Sequence, residues 1–283
     1  MEMSDLPMPS PQSYRTLEFS GLRQGAAVRE QDCVAEEVPV AFEFNGISHA
    51  VMMATPDDLE DFAYGFSLSE GIVDAASQVH DVEVSGSHLG QTLHIRIAAS
   101  CFARLKDMRR NLTGRTGCGL CGTESLAHAV RKPQRLQASP TFTAQAMARA
   151  MGAMRSRQLL LSITGSTHAA AWCGPDGNIA LIREDVGRHN ALDKLIGALA
   201  RAHLPANTGF IAVTSRASYE MVQKTAHAGV GTLAAVSGVT GLAVEVADLA
   251  GLTLLGFARG DDVCIYTHPG QFSWKPTECK TTI

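Results

Sequence analysis

The chain has 283 residues, 45% of them hydrophobic and 18% charged. That balance supports a real core and excludes global disorder, and the length suits two domains at roughly 150 residues each. A net charge of −4, from 24 basic and 28 acidic residues, argues against coating nucleic acid or an anionic membrane, though a local anion site stays compatible with it.

Met1 to Tyr14 holds three prolines and no basic stretch leading into an apolar one. It reads as a mobile tail rather than a signal peptide. Val38 to Phe44 and Ile47 to Ala54 are strand-like and flank Asn45-Gly46, a dipeptide suited to a tight hairpin. Thr55-Pro56-Asp57-Asp58 opens a helix, with Thr55 as the expected cap and Gly71 as the stop. Val79 to Val84 and Thr92 to Ile97 alternate as strands, and Leu105 to Leu112 is helical. A glycine-rich loop, Gly114 to Gly122, and a short helix near Glu124 to Arg131 follow.

Pro133 and Pro140 mark a boundary. The predicted organisation is a tail over 1–14, an α+β domain over 15–138, an α/β domain over 139–268 and a tail over 269–283. The second domain opens with a helix, Thr143 to Arg155. Strands are expected at Ala169 to Cys173, Ile179 to Arg183, Phe210 to Thr214, Thr232 to Val236, Leu252 to Phe257 and Val263 to Thr267. Helices are expected at Ala191 to Ala202, Tyr219 to Gly229 and Leu242 to Leu249. Such alternation implies a buried sheet covered by helices. Thr225 to Val244 carries no charge and is long enough to span a bilayer. Its four glycines and His227 favour a buried strand followed by a helix, so no membrane partner is expected.

Seven cysteines, at 33, 101, 118, 121, 173, 264 and 279, are odd in number and widely spread. They suit reduced thiols in a cytoplasmic protein better than a disulfide scaffold. Cys118 and Cys121 form a C-x-x-C pair among glycines, with Arg115 close in sequence. Such a pair can pass sulfur, act as a redox couple or share a metal. A zinc site needs more ligands than this pair offers, and no second C-x-x-C exists. Zinc-dependent deamination is excluded, because no histidine is followed two residues later by Glu and Cys118 follows Gly. Lone His168, Cys101, Cys173 and Cys264 read as structural.

Three further clusters stand at junctions between elements. Arg183 to Lys194 runs from a strand end into a helix start, where open α/β sheets bind ligands. Arg188, Lys194 and the helix start suit phosphate, while Asp185 or Asp193 suits a guanine edge or a ribose. Arg183, His189 and Asn190 share the cluster. Ser215, Arg216 and Ser218 suit either a second phosphate or helix capping. Phe257-Ala258-Arg259-Gly260-Asp261-Asp262 is by itself a turn.

Thr116 to Gly122 (TGCGLCG), Arg183 to Gly197 (REDVGRHNALDKLIG) and Ser215 to Lys224 (SRASYEMVQK) together resemble the formate dehydrogenase accessory family, the sulfurtransferase FdhD. The resemblance covers residues 15–270. It implies a cytidine-deaminase-like α/β domain joined to a smaller N-terminal α+β domain, in a homodimer. It implies a sulfur carrier that takes sulfur from a cysteine desulfurase as a persulfide on Cys118, with Cys121 assisting. The acceptor would be the molybdenum of bis(molybdopterin guanine dinucleotide), destined for formate dehydrogenase. GDP would mimic that substrate, and no catalytic metal is expected. The family's cofactor segment falls on Phe257 to Asp262. Here Asp261 and Asp262 follow Gly260 where the family often has a basic residue, so Arg259 would supply the charge. A chaperone that binds cofactor without moving sulfur, or a zinc or redox protein, are the alternative readings.

Overall fold

The computed structural model describes residues 8–113, 135–136 and 140–273. Arg115, Cys118, Cys121, Cys279 and the helix expected near Glu124 to Arg131 lie outside them.

The chain begins with a two-stranded antiparallel ribbon, β1 (Tyr14–Arg23) and β2 (Ala26–Ala35). Gln24 and Gly25 turn it with φ of 51° and 85°, the double left-handed geometry of a tight hairpin. The expected tail does not reach Tyr14. Ser10 N–H and Ser13 Oγ both donate to Asp57 Oδ2, at 3.1 and 3.0 Å.

A four-stranded sheet follows, built from β3 (Val38–Phe44), β4 (Ile47–Ala54), β5 (Val79–Ser87) and β6 (Gly90–Ile97) in the order β4-β3-β6-β5. Asn45 and Gly46 turn the β3–β4 hairpin with φ of 46° and 82°. The helix α1 (Leu59–Ser69) packs its phenylalanines on this sheet, with the Phe42 and Phe66 rings stacked 4.2 Å apart. The helix α2 (Ala99–Thr113) closes the same core through Cys101 and Leu105.

Thr55 does not cap α1. The helix starts at Leu59, after Asp58 in left-handed backbone. Thr55 is fully buried and faces another element altogether. Its N–H donates to Asp185 Oδ2 at 3.0 Å, and its Oγ1 accepts from Val186 N–H at 3.2 Å.

The rest of the chain forms a six-stranded mixed sheet. Its strands are β8 (His168–Cys173), β9 (Ile179–Asp185), β10 (Phe210–Val213), β11 (Thr232–Ala235), β12 (Thr253–Arg259) and β13 (Asp262–Ile265). They lie in the order β13-β12-β11-β10-β8-β9, with β10, β11 and β12 parallel. All four residues of β10 and of β11 are buried, as a sheet covered on both faces requires. Helices α5 (Arg188–Arg201), α6 (Tyr219–His227) and α7 (Gly241–Ala250) cover one face. The other meets α3 (Ala144–Arg157). Beside α3, a short parallel pair of β7 (Phe142–Thr143) and β14 (Phe272–Ser273) adds Phe142 and Phe272 to the core. Between α3 and β8, a six-residue helix α4 (Leu159–Thr164) takes its first turn from Glu184, whose carboxylate accepts from the Leu160 and Leu161 N–H groups. The uncharged stretch from Thr225 to Val244 is the end of α6, all of β11 and the start of α7. Among the described residues no helix is long and apolar enough to cross a membrane.

The helices α1 and α5 cross at backbone contact. A Cβ on Gly65 would lie 1.6 Å from the Asp193 carbonyl oxygen, and one on Gly197 would lie 1.8 Å from that of Asp61. Only glycine permits that approach, and it joins the two sheets through a pair of helices.

Candidate functional site

The strand order places several loops at one edge of the six-stranded sheet. β9 runs the same way as β10, because both are antiparallel to β8. The carboxyl ends of β9, β10, β11 and β12 therefore share one edge, the place where such sheets bind ligands. The loops there are tied together. Ala217 N–H donates to the Gly238 carbonyl and Thr240 N–H to that of Ala217, at 3.1 and 3.2 Å. Phe257 N–H donates to Ser237 O at 3.0 Å and Arg259 Nε to Val236 O at 2.9 Å. His189 Nε2 lies 3.0 Å from Glu220 Oε2 and joins α5 to α6.

The sequence-predicted residues separate into two groups. Arg188, His189, Ser215, Arg216, Phe257 and Arg259 gather at this edge. Arg188 is half-buried, and its Nε has no hydrogen-bond partner among the described residues. Arg216 is exposed, and no hydrogen bond or ion pair engages its guanidinium among the described residues. Ser215 Oγ donates to the Arg216 carbonyl. Ser218 precedes α6 but caps no backbone group, and its hydroxyl donates to Glu220 instead. Phe257 is 45% exposed at φ 51°, its ring against Gly238. Asp261 and Asp262 are exposed at the β12–β13 turn, which Gly260 makes with φ 56°. Ala258 faces the core.

The second group points inward, away from the edge. Lys194 has no exposed surface, and its Nζ sits 2.7 Å from Asp185 Oδ2 and 2.9 Å from the Thr55 carbonyl. Asp185 Oδ1 also accepts from Gly187 N–H and Asn190 Nδ2, while Asn190 Nδ2 donates to Met53 O. Arg183 binds Asp61 through Nε and Nη2 at 2.8 and 2.7 Å. Asp193, also buried, accepts from Ser69 and from Lys224. These side chains join β9 and α5 to α1 and its preceding loop. Their place is the interior seam between the sheets, where Asp185 and Asp193 meet no external guanine or ribose.

Titration at the edge follows burial and charge. His189 is held below the ordinary histidine range by burial and by Arg188, against the opposing pull of Glu220. His168, half-buried at the start of β8, is lowered by burial and by the same arginine. Sequence reasoning missed Glu220 and the loop Ser237-Gly238-Val239-Thr240. The loop carries the same signal as Ser215-Arg216, a strand end running into small polar residues.

The FdhD/NarQ family matches residues 35–273. A protein named sulfur carrier protein FdhD from Variovorax paradoxus is 56% identical over 276 residues, covering 98% of this chain and 99% of that one. Another of that name from Cupriavidus necator is 54% identical, covering 92% and 90%. The crystal structure of a putative formate dehydrogenase accessory protein from Desulfotalea psychrophila superposes with a TM-score of 0.75, covering 92% of this chain and all of that one. At 20% identity it speaks for the fold alone. The chain belongs to the FdhD/NarQ family.

Proposed function

We propose that the chain is a cytoplasmic sulfur carrier and sulfurtransferase serving formate dehydrogenase. It accepts sulfur from a cysteine desulfurase as a persulfide on Cys118, with Cys121 assisting. It delivers that sulfur to molybdenum bis(molybdopterin guanine dinucleotide), which is its substrate rather than a resident cofactor. The name shared by relatives at 54–56% identity supports the sulfur-carrier role.

The observation that carries the geometric side is the pair Arg188 and Arg216. Both stand at the carboxyl edge of the sheet without a carboxylate partner among the described residues. A half-buried guanidinium with an unpartnered Nε suits a phosphate oxygen. Among the described residues the Arg259 guanidinium bonds only Val236 O, through Nε, which leaves its terminal nitrogens for the same diphosphate. Phe257 offers an exposed ring for a base to stack on.

The finer fold reading is a cytidine-deaminase-like domain beside a smaller α+β domain. Its support is the order β9-β8-β10-β11-β12 with β8 antiparallel to the rest. A scaffold of that kind can persist after zinc chemistry is lost. A homodimer remains part of the proposal.

The test is twofold. The purified chain should bind GDP and lose that binding when Arg188 and Arg216 are both replaced by Ala. The gene should restore formate dehydrogenase activity to cells lacking their own carrier, and the double variant should not.

A further inference from the structure

His168 is the first residue of β8, and β8 lies between β9 and β10 in the sheet. Because β8 runs against both neighbours, it begins where they end. His168 pairs with Asp185, the last residue of β9. On the other side, Thr214 N–H donates to Ala169 O and Ala169 N–H to Thr214 Oγ1, so pairing reaches the residue next to His168. Arg188 comes shortly after Asp185, and Arg216 shortly after Thr214. The strand order therefore sets His168 between the two loops whose guanidinium groups have no carboxylate partner among the described residues.

Residues of a strand alternate between its two faces. Ala170 and Trp172 belong to the core under α5 and α6, while Ala169 and Ala171 belong to the opposite one. His168 shares the face of Ala170, on which α5 begins with Arg188. A structural histidine in a buried setting is held by hydrogen bonds. This ring is half-buried, and no hydrogen bond or ion pair engages it among the described residues. An unpartnered imidazole between two unpartnered guanidinium groups suits a polyanion, because only an anion relieves the repulsion among three cations. We infer that His168 is a third ligand of the cofactor's diphosphate, beside Arg188 and Arg216, and that it takes up a proton when the diphosphate binds. The inference rests on the reading of this edge as the diphosphate site. One proton passes from solvent to the ring, and no bond to phosphorus forms or breaks.

The charged neighbours set the sign. Burial and Arg188 of α5 hold the free ring below the ordinary histidine value of 6.5, against the opposing pull of Asp185 on β9. His189 on α5 is lowered in the same way. Glu184 on β9 has both oxygens occupied by Leu160, Leu161 and Thr167. Arg216 lies beyond β10. The free ring is therefore neutral at neutral pH, and a bound phosphate draws its titration upward. Between the free and bound values the ring gains a proton on binding. Affinity rises as pH falls through that window and levels off below the free value.

The test is GDP binding by titration calorimetry from about pH 8 to about pH 5.5, for wild type and His168→Gln. At the acid end the wild type should bind roughly tenfold more tightly than the variant, the gain of one charge-assisted hydrogen bond. At the alkaline end the two should agree within about twofold. The GDP β-phosphate takes its own proton near about pH 6 with both proteins, so the difference between them isolates the ring. NMR titration of the His168 ring in wild-type protein, with and without GDP, does not depend on the variant folding. Its inflection should move to higher pH when GDP is bound. Equal affinities at every pH, a deficit of one size at every pH, or an inflection that bound GDP leaves in place would overturn the role of His168 alone. A wild-type chain that binds no GDP across this range would overturn the diphosphate site, and the inference with it.

Discussion

Lys194 and Asp185 form a 2.7 Å ion pair in which neither side chain has any exposed surface. The pair is completed by Thr55, which gives Asp185 its N–H and Lys194 its carbonyl oxygen. Residues of α5, β9 and the loop before α1 are thereby fixed around two opposite charges. Removing one charge leaves the other buried and uncompensated. Lys194→Met should therefore cost about 3–5 kcal/mol of unfolding free energy in a denaturant titration. A change under about 1 kcal/mol, the size usual for exposed pairs, would contradict the burial of this one.

Gly65 and Gly197 make a second demand on the same seam. Each faces a carbonyl oxygen closer than any Cβ tolerates. Gly197→Ala should lower stability by about 1–3 kcal/mol or more through overpacking, although Ala is the better helix former. A stabilised variant, as propensity alone implies, would show that the helices separate more readily than this crossing suggests.

The described thiols should differ in reactivity. Burial pushes Cys173 up to about 12, while Cys264 is exposed. Alkylation of the native protein should label Cys264 and spare Cys173 until the chain unfolds. The raised value in the folded state also fixes a sign. The contribution of Cys173 to stability is complete below the free-thiol value of 9.0 and falls as pH climbs from there toward 12. Cys173→Ala should flatten that part of the alkaline stability profile, and an unchanged slope would argue against burial of the thiol.

At the sheet edge, Arg188→Ala and Arg216→Ala should each weaken GDP binding about tenfold to a hundredfold, as expected for one lost charge-assisted hydrogen bond of about 1.5–3 kcal/mol. Their melting temperatures should change little, because neither guanidinium holds a partner in the described fold. Titration calorimetry beside thermal unfolding separates the two effects.

Most regular elements were legible because their signals are local. The runs Phe210 to Val213 and Thr232 to Ala235 are uniformly apolar or β-forming, and both are strands. The ribbon from Tyr14 to Ala35 escaped notice because neither strand has a buried face to set up an apolar alternation, and Gln24-Gly25 is a weaker turn signal than Asn45-Gly46. Thr55 looked like a cap for want of any local sign of Asp185, 130 positions away. The same distance effect governs the site. Lys194 and Asp193 read as surface ligands until their partners Thr55 and Ser69 are brought in by folding. The place of Arg188 and Arg216 at the sheet edge was legible because a strand end followed by a charged or hydroxyl residue is a local pattern. Glu220 was not, since its meaning depends on His189 across two helices.

The sulfur-carrier account stands or falls on where sulfur goes. The direct measurement is to incubate the purified chain with a cysteine desulfurase and sulfur-labelled cysteine, and then follow label on wild type and Cys118→Ala. The account predicts one labelled sulfur on the wild-type peptide carrying Cys118, lost on reduction, and none on the variant. Full retention of label on Cys118→Ala would contradict it.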